Sequence, residues 1–153
     1  MAAARLYILD TNILVHMVRE DVLGQQIKDV YDLLMTETRP LLSVVTHGEL
    51  RSLAYYLEWG EDKKERAAFL LGYFGRVPTE KPSIIEAYAM IDAFSEKQGR
   101  SMGKNDVWIA AAAHDTGATL LTTDKDFDHL DPLFLSRIWI DPARERRSRE
   151  TLQ

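Results

Sequence analysis

The order of apolar and polar positions along the chain predicts strands that alternate with helices. Residues 5–10 (RLYILD) indicate a buried strand, because β-branched and aromatic residues cluster before a polar stop. Three further apolar runs, LLSVV (41–45), ATLLTT (118–123) and RIWID (137–141), have the same character. Strands that alternate with helices are typical of βαβ units and of a mainly parallel sheet covered on both faces.

Helical spacing of apolar residues fills the segments between these strands. The predicted helices lie at residues 12–20, 22–35 and 46–60, around 67–74 and 84–91, and at 105–115. Pro40, Gly60 and Gly117 mark helix ends. The expected fold class is therefore α/β.

The composition is that of one globular domain. A chain of 153 residues with 46% apolar residues is long enough to bury one core. It has no cysteine, which excludes disulfides and thiolate metal sites and agrees with a cytoplasmic location. The N-terminal residues resemble neither a signal peptide nor a membrane span. We expect a domain over residues 1–142 and a flexible, Arg-rich tail over residues 143–153.

The charge balance limits how the chain can contact nucleic acid. Nineteen basic and 24 acidic residues give a net charge of −5, the wrong sign for non-specific coating of nucleic acid. Any such contact must be local. Arg100 and Lys104, in a loop just before Asp106, are candidate phosphate contacts, although a solvated loop explains them equally well.

Four acids share one kind of position in the predicted elements. Asp10 and Asp124 follow predicted strands, Glu49 comes soon after another strand, and Asp106 opens an Ala-rich helix. In an open parallel sheet these places converge on the edge beyond the carboxyl ends of the strands, where ligands bind. We therefore expect these acids to meet.

Each acid also has a local explanation. Asp10 suits a helix N-cap, and residues 46–49 (THGE) fit a capping box in which Glu49 reaches back to Thr46. Asp106 is placed to offset a helix dipole, and Asp124 suits an ordinary turn. Only their conjunction favours a site.

Four converging carboxylates repel one another, and this cost is tolerable only with a cation between them or with protonation. Oxygen ligands without cysteine or histidine favour Mg²⁺ or Mn²⁺ over zinc. The reaction that such a site performs best is phosphodiester hydrolysis by an activated water, without a protein nucleophile.

The segments ILDTN, SVVTHGEL, GKNDVWIAAAA and LLTTDKDF resemble, in order and spacing, the acidic blocks of PIN-domain nucleases, above all the VapC-type toxins of bacterial toxin–antitoxin pairs. The resemblance covers residues 5–141. It implies a PIN-like three-layer α/β/α sandwich with a central, mainly parallel sheet of four to five strands. It also implies a Mg²⁺- or Mn²⁺-dependent endoribonuclease, frequent homodimers, and inhibition by a cognate antitoxin protein.

The resemblance also implies roles for individual residues. The catalytic, metal-binding positions are Asp10, Glu49, Asp106 and Asp124, with supporting roles for Asn12 and Thr122. The fourth block is the most ambiguous, because Asp126 lies close enough to substitute for Asp124 or to assist it.

Two other functions stay open from the sequence. A catalytically inactive PIN-like domain would bind RNA or a protein partner, but such a module has no use for repelling carboxylates. A nuclease that acts on DNA or on a particular nucleic-acid structure would use the same acids.

Overall fold

Five short strands form the centre of the fold in the computed structural model, which describes residues 5–143. The strands are β1 (Tyr7–Leu9), β2 (Leu41–Ser43), β3 (Gly75–Val77), β4 (Thr119–Thr122) and β5 (Arg137–Trp139). Their order in the sheet is β3-β2-β1-β4-β5, and all four pairings are parallel. The predicted flexible tail, except for Ala143, lies outside the described residues.

Within residues 5–143, six α-helices and one 3₁₀ helix accompany the strands. They are α1 (Thr11–Arg19), α2 (Val22–Val30), α3 (Val44–Tyr56), α4 (Glu61–Tyr73), α5 (Pro82–Lys97), α6 (Lys104–Thr116) and the 3₁₀ helix Lys125–Leu130. None of these described helices is long and apolar enough to cross a membrane.

Alternate residues of the central strands supply two separate cores. Leu9 and Leu121 pack in the core covered by α1 to α4, whereas Ile8 and Leu120 pack in the core covered by α5 and α6. This follows from the two-residue period of a strand, which turns successive side chains to opposite faces. The sheet is therefore covered on both sides, and the predicted α/β/α sandwich is confirmed.

Some predicted boundaries were wrong. The segment GRV of β3 is a fifth strand at the edge of the sheet, and three residues with a glycine give too weak a pattern to predict a strand. Helix α2 ends at Val30 rather than at Met35, and Asp32 adopts the left-handed conformation (φ 53°). Strand β2 ends at Ser43, because that side chain caps α3 by accepting a hydrogen bond from the Val45 N–H.

Two helical glycines meet opposite surroundings. A Cβ atom on Gly24 would overlap the His16 carbonyl oxygen, so α1 and α2 approach each other at a point where only glycine fits. A Cβ atom on Gly48, within α3, would meet nothing within 4 Å. The first glycine is therefore a packing requirement, whereas the second is not.

We predict opposite stability effects for alanine at these two positions. Gly24→Ala should lower the free energy of unfolding by about 1–3 kcal/mol or more, since the close backbone contact must open. Gly48→Ala should raise it by about 0.5–1 kcal/mol, because alanine has the higher helix propensity. Urea unfolding of both variants beside the parent measures this. A Gly24→Ala protein as stable as the parent would contradict the close α1–α2 contact.

Candidate metal centre

Asp10 is buried and fixed at the carboxyl end of β1. It is only 3% exposed, and its backbone N–H donates to the Leu121 carbonyl of β4 at 3.0 Å. Its Oδ1 accepts a hydrogen bond from the Thr11 N–H (2.8 Å), and its Oδ2 accepts one from Thr122 Oγ1 (2.7 Å). Asp10 is thus the N-cap of α1, as its local explanation expects, and also lines the predicted site.

Thr122 connects Asp10 to the next acidic segment. Its hydroxyl is fully buried, donates to Asp10 and accepts a hydrogen bond from the Asp124 N–H (2.9 Å). Asp124 Oδ1 in turn accepts from the Asp126 N–H (2.9 Å) and caps the 3₁₀ helix. The register of β1 with β4 therefore positions both ends of this chain of hydrogen bonds.

Glu49 reaches the same edge from α3. Its Oε1 accepts a hydrogen bond from Thr11 Oγ1 (2.7 Å), and Thr11 Oγ1 also lies 3.2 Å from Thr46 Oγ1. The capping-box interpretation of residues 46–49 is wrong, because α3 begins at Val44 and Ser43 is its N-cap. Sequence reasoning missed Thr11, whose signal was its place directly after Asp10.

Three aspartates form a close cluster of carboxylates. One carboxylate oxygen from each of Asp106, Asp124 and Asp126 lies within 4.8 Å of the others. Asp106 comes from the first turn of α6, whose N-cap is Gly103, and the other two come from the segment after β4. Asp126, which the sequence left as a substitute or helper for Asp124, joins this group beside it.

Burial and repulsion raise the pKa of two of these acids. The pKa of Asp10 rises from 3.8 to about 6, mainly through burial, while the hydrogen bonds from Thr122 and Thr11 oppose the rise. The pKa of Asp106 rises to about 7, again chiefly through burial, followed by repulsion from Asp10 and Asp124. Near neutral pH these two carboxyl groups therefore hold protons more readily than ordinary aspartates do.

The acids open into a cleft of about 590 Å³. Asp10, Glu49 and Asp106 line it together with uncharged Asn12 and Asn105. The predicted supporting residue Asn12 thus lies in the same cleft as the acids.

The two predicted phosphate contacts have different surroundings. Arg100 lines a smaller cavity that it shares with Asp126. Lys104 Nζ lies 2.8 Å from Asp92 Oδ1, so the charge of this lysine is paired with α5.

The donor set fits a hard divalent cation. The grouped ligands are carboxylates alone, and Mg²⁺ and Mn²⁺ prefer oxygen. Repulsion that raises the pKa of Asp106 is the interaction that a bound cation would relieve. The edge of the sheet can therefore hold such an ion beside a cleft open to a ligand.

Comparison with known proteins gives a consistent family. The family model for the PIN domain matches residues 7–133. A curated relative, Ribonuclease VapC1 of Haemophilus influenzae (strain R2866), is 29% identical over 131 residues, covering 84% of this chain and 94% of the relative.

Two solved structures have the same fold. VapBC-1 from nontypeable Haemophilus influenzae is 26% identical, with a TM-score of 0.72 over 88% of this chain and 97% of that chain. VapBC-5 from Mycobacterium tuberculosis, of the VapBC family of toxin-antitoxin systems, is 23% identical, with a TM-score of 0.65 over 90% and 100%. Since the family model matches well over half of the 153 residues, the chain belongs to the PIN-domain family.

Proposed function

We propose that this protein is a Mg²⁺- or Mn²⁺-dependent endoribonuclease that acts as the toxin of a bacterial toxin–antitoxin pair. The observation that carries the proposal is the cluster of three carboxylates from Asp106, Asp124 and Asp126, whose oxygens lie within 4.8 Å of one another. Asp10 and Glu49 lie beside this cluster. The PIN-domain match and the relative named Ribonuclease VapC1 support RNA as the substrate.

Each acid has a separable task in this proposal. Asp10, Glu49, Asp106 and Asp124 remain the proposed metal-binding acids. Asp106 and Asp124 would hold the ion together with the supporting Asp126, and Asp10 and Glu49 would complete the acidic site along the cleft. The bound ion would lower the pKa of a water molecule and offset negative charge on the attacked phosphate. Thr122 keeps the Asp10 carboxylate in place, and Thr11 orients Glu49. No protein nucleophile is required.

The surroundings of the acids suit a strand of RNA. The cleft exposes the amide side chain of Asn12, which can hydrogen-bond to a base or a ribose, next to the carboxylates. Arg100 and Lys104 are the proposed contacts to backbone phosphates, and they would supply attraction that a chain of net charge −5 otherwise lacks.

We also propose a cognate antitoxin as partner, a homodimer as the assembly, and the cytoplasm, where RNA is available, as the location. The structural relative named VapBC-1 supports the antitoxin. Tyr55 and Tyr56, at the end of α3, are 86% and 83% exposed. Adjacent exposed aromatic side chains are typical of surfaces that bind other proteins.

The alternative is a PIN-like domain that binds RNA or a protein without catalysis. The raised pKa of Asp106 argues against this alternative, because burial and repulsion from neighbouring acids make its ionised form unfavourable. A binding module gains nothing from such a group. A domain that acts on DNA uses the same acids, so the substrate must be tested directly.

Cleavage of RNA should require both the metal and the acids. Purified protein, free of any antitoxin, is incubated with total cellular RNA or a matched DNA, with Mg²⁺, Mn²⁺ or EDTA. Discrete RNA fragments should form only with metal. Asp10→Asn and Asp106→Asn should each lower the rate about 100-fold or more, since several kcal/mol of transition-state stabilisation are lost. Asp29→Asn, on an exposed position of α2, is the matched control.

The outcomes separate the candidate functions. Fragments of equal yield from the parent and from both site variants would place the chemistry elsewhere. Intact RNA together with measurable RNA binding would favour the non-catalytic domain. Cleaved DNA beside intact RNA would make the protein a deoxyribonuclease.

The raised pKa values predict how the stability of the metal-free protein depends on pH. A carboxyl group whose pKa is higher in the folded than in the unfolded state binds more protons when folded, so stability falls as pH rises between the two values. For Asp10 and Asp106 this interval runs from 3.8 to about 6 and about 7. The loss is complete above the folded pKa values.

Thermal melts in EDTA across about pH 5 to 8 measure this dependence. The parent should lose stability with rising pH more than Asp106→Asn does. At pH 8 the variant should melt higher, by about 2–4 °C for each kcal/mol of relieved repulsion. Added Mg²⁺ should restore the parent but not the variant. A parent whose melting temperature is the same at every pH would contradict the assigned repulsion.

A further inference from the structure

A second cavity, of about 340 Å³, adjoins the cluster of Asp106, Asp124 and Asp126. Asp126 belongs to both, since it lines this cavity and groups with Asp106 and Asp124. The lining residues are Gly99, Arg100, Ser101, Lys125, Asp126 and His129. A ligand that spans the acids would therefore reach this cavity next.

Two cations face this cavity. Lys125 Nζ lies 4.5 Å from the ring centroid of Trp139, and the indole N–H of that ring donates to the Thr123 carbonyl at 3.0 Å. The indole ring is thus fixed by a hydrogen bond to the backbone, and it positions the lysine through a cation–π contact. Arg100 and His129 line the same cavity, so the guanidinium belongs to a residue at its wall.

Neither cation is ion-paired within residues 5–143, unlike their neighbours. Lys104 Nζ lies 2.8 Å from Asp92, and Arg137 Nε lies 3.0 Å from Asp128. Arg100 and Lys125 have no such partner in the described part of the chain, although acids outnumber bases in the sequence. Two unpaired cations at one cavity are typical of a site that receives an anion.

The wall behind these cations is fixed. His129 Nε2 lies 2.8 Å from the buried Ser95 Oγ, and the same ring is hydrogen-bonded to the backbone of Asp126. The ring also stacks on Phe94, with centroids 6.2 Å apart and planes at 6°. The cavity is therefore tied to the segment that carries Asp124 and Asp126, and does not need to form around its ligand.

The cleft that Asp106 lines has a different character. Among residues 5–143 no lysine or arginine lines it, and its polar residues besides the acids are uncharged, among them Asn12, Ser52 and Asn105. The carboxylates thus adjoin two spaces: a cleft whose other polar groups are uncharged, and a cavity that holds two cations. A nucleic-acid strand offers this alternation, because uncharged nucleosides are separated by charged phosphates.

We propose that Arg100 and Lys125 form a subsite for the RNA phosphate next to the one that is cleaved. The inference rests on the proposed function for the identity of the substrate. It concerns binding rather than cleavage, and it requires that both side chains contact the RNA. The adjoining nucleoside lies against the uncharged polar groups of the cleft, among them Asn12 and Asn105, so the strand passes the acids on its way to the cationic cavity.

Binding is measured apart from cleavage. Fluorescence anisotropy follows a labelled single-stranded RNA added to Asp106→Asn protein, in which cleavage is disabled, at several salt concentrations. In this background Lys125→Ala and Arg100→Ala should each weaken binding about five- to tenfold at low salt. The slope of log affinity against log salt should shrink by about 0.7, the value for one phosphate contact on a single strand.

The double variant gives the sharpest result. Because both side chains contact one phosphate, Arg100→Ala combined with Lys125→Ala should also lose about 0.7 of slope rather than twice that amount. Lys125→Arg should keep most of the affinity, since it retains the charge. Lys64→Ala, on the exposed face of α4, removes the same charge far from the cavity and should leave affinity and slope close to those of the parent background.

The failure of this proposal differs from the failure of the proposed function. Equal losses in Lys125→Ala and Lys64→Ala would overturn the subsite, even if the parent cleaves RNA. A parent that cleaves no RNA, but whose salt slope still depends on both cations, would keep the subsite and refute the nuclease. In a further outcome, inorganic phosphate raises the melting temperature of the parent but not of the Arg100→Ala and Lys125→Ala variants. If RNA affinity is the same in all three proteins, the site binds a free anion and the RNA assignment is wrong.

Discussion

Repulsion among carboxylates held at one edge of a parallel sheet is the constraint on which the rest of the structure depends. The register of β1 with β4 brings Asp10 beside Thr122, whose hydroxyl then fixes both Asp10 and the backbone of Asp124. These acids cannot separate, because hydrogen bonds and the two cores hold the strands that carry them. The fold therefore maintains a negative site whose cost a divalent cation would offset.

Two neighbouring spaces, the cleft and the second cavity, would contact different parts of a bound nucleic-acid strand. The cleft that contains Asn12 supplies uncharged hydrogen-bonding groups, whereas the cavity that contains Arg100 and Lys125 supplies positive charge. The cleft adjoins the acids through Asp106, and the cavity adjoins them through Asp126. A chain with a net charge of −5 can attract a polyanion only through such local arrangements.

Much of the fold follows from the sequence, because apolar runs that end in a polar residue mark the carboxyl ends of buried strands. That pattern placed Asp10 and Asp124 correctly at one edge. It could not reveal β3, whose three residues form a strand only because β2 pairs with them. The link from Thr11 to Glu49 and the contact of Lys125 with Trp139 were equally hidden, since both depend on tertiary packing.

The central claim is that the grouped aspartates bind a divalent cation, and the most direct measurement is anomalous diffraction from crystals of the protein soaked in Mn²⁺. We predict a manganese peak between Asp106, Asp124 and Asp126, with Asp10 and Glu49 beside it, and no peak there in crystals of Asp106→Asn. A parent crystal that binds Mn²⁺ elsewhere, or that shows no ion among these carboxylates, would contradict the account.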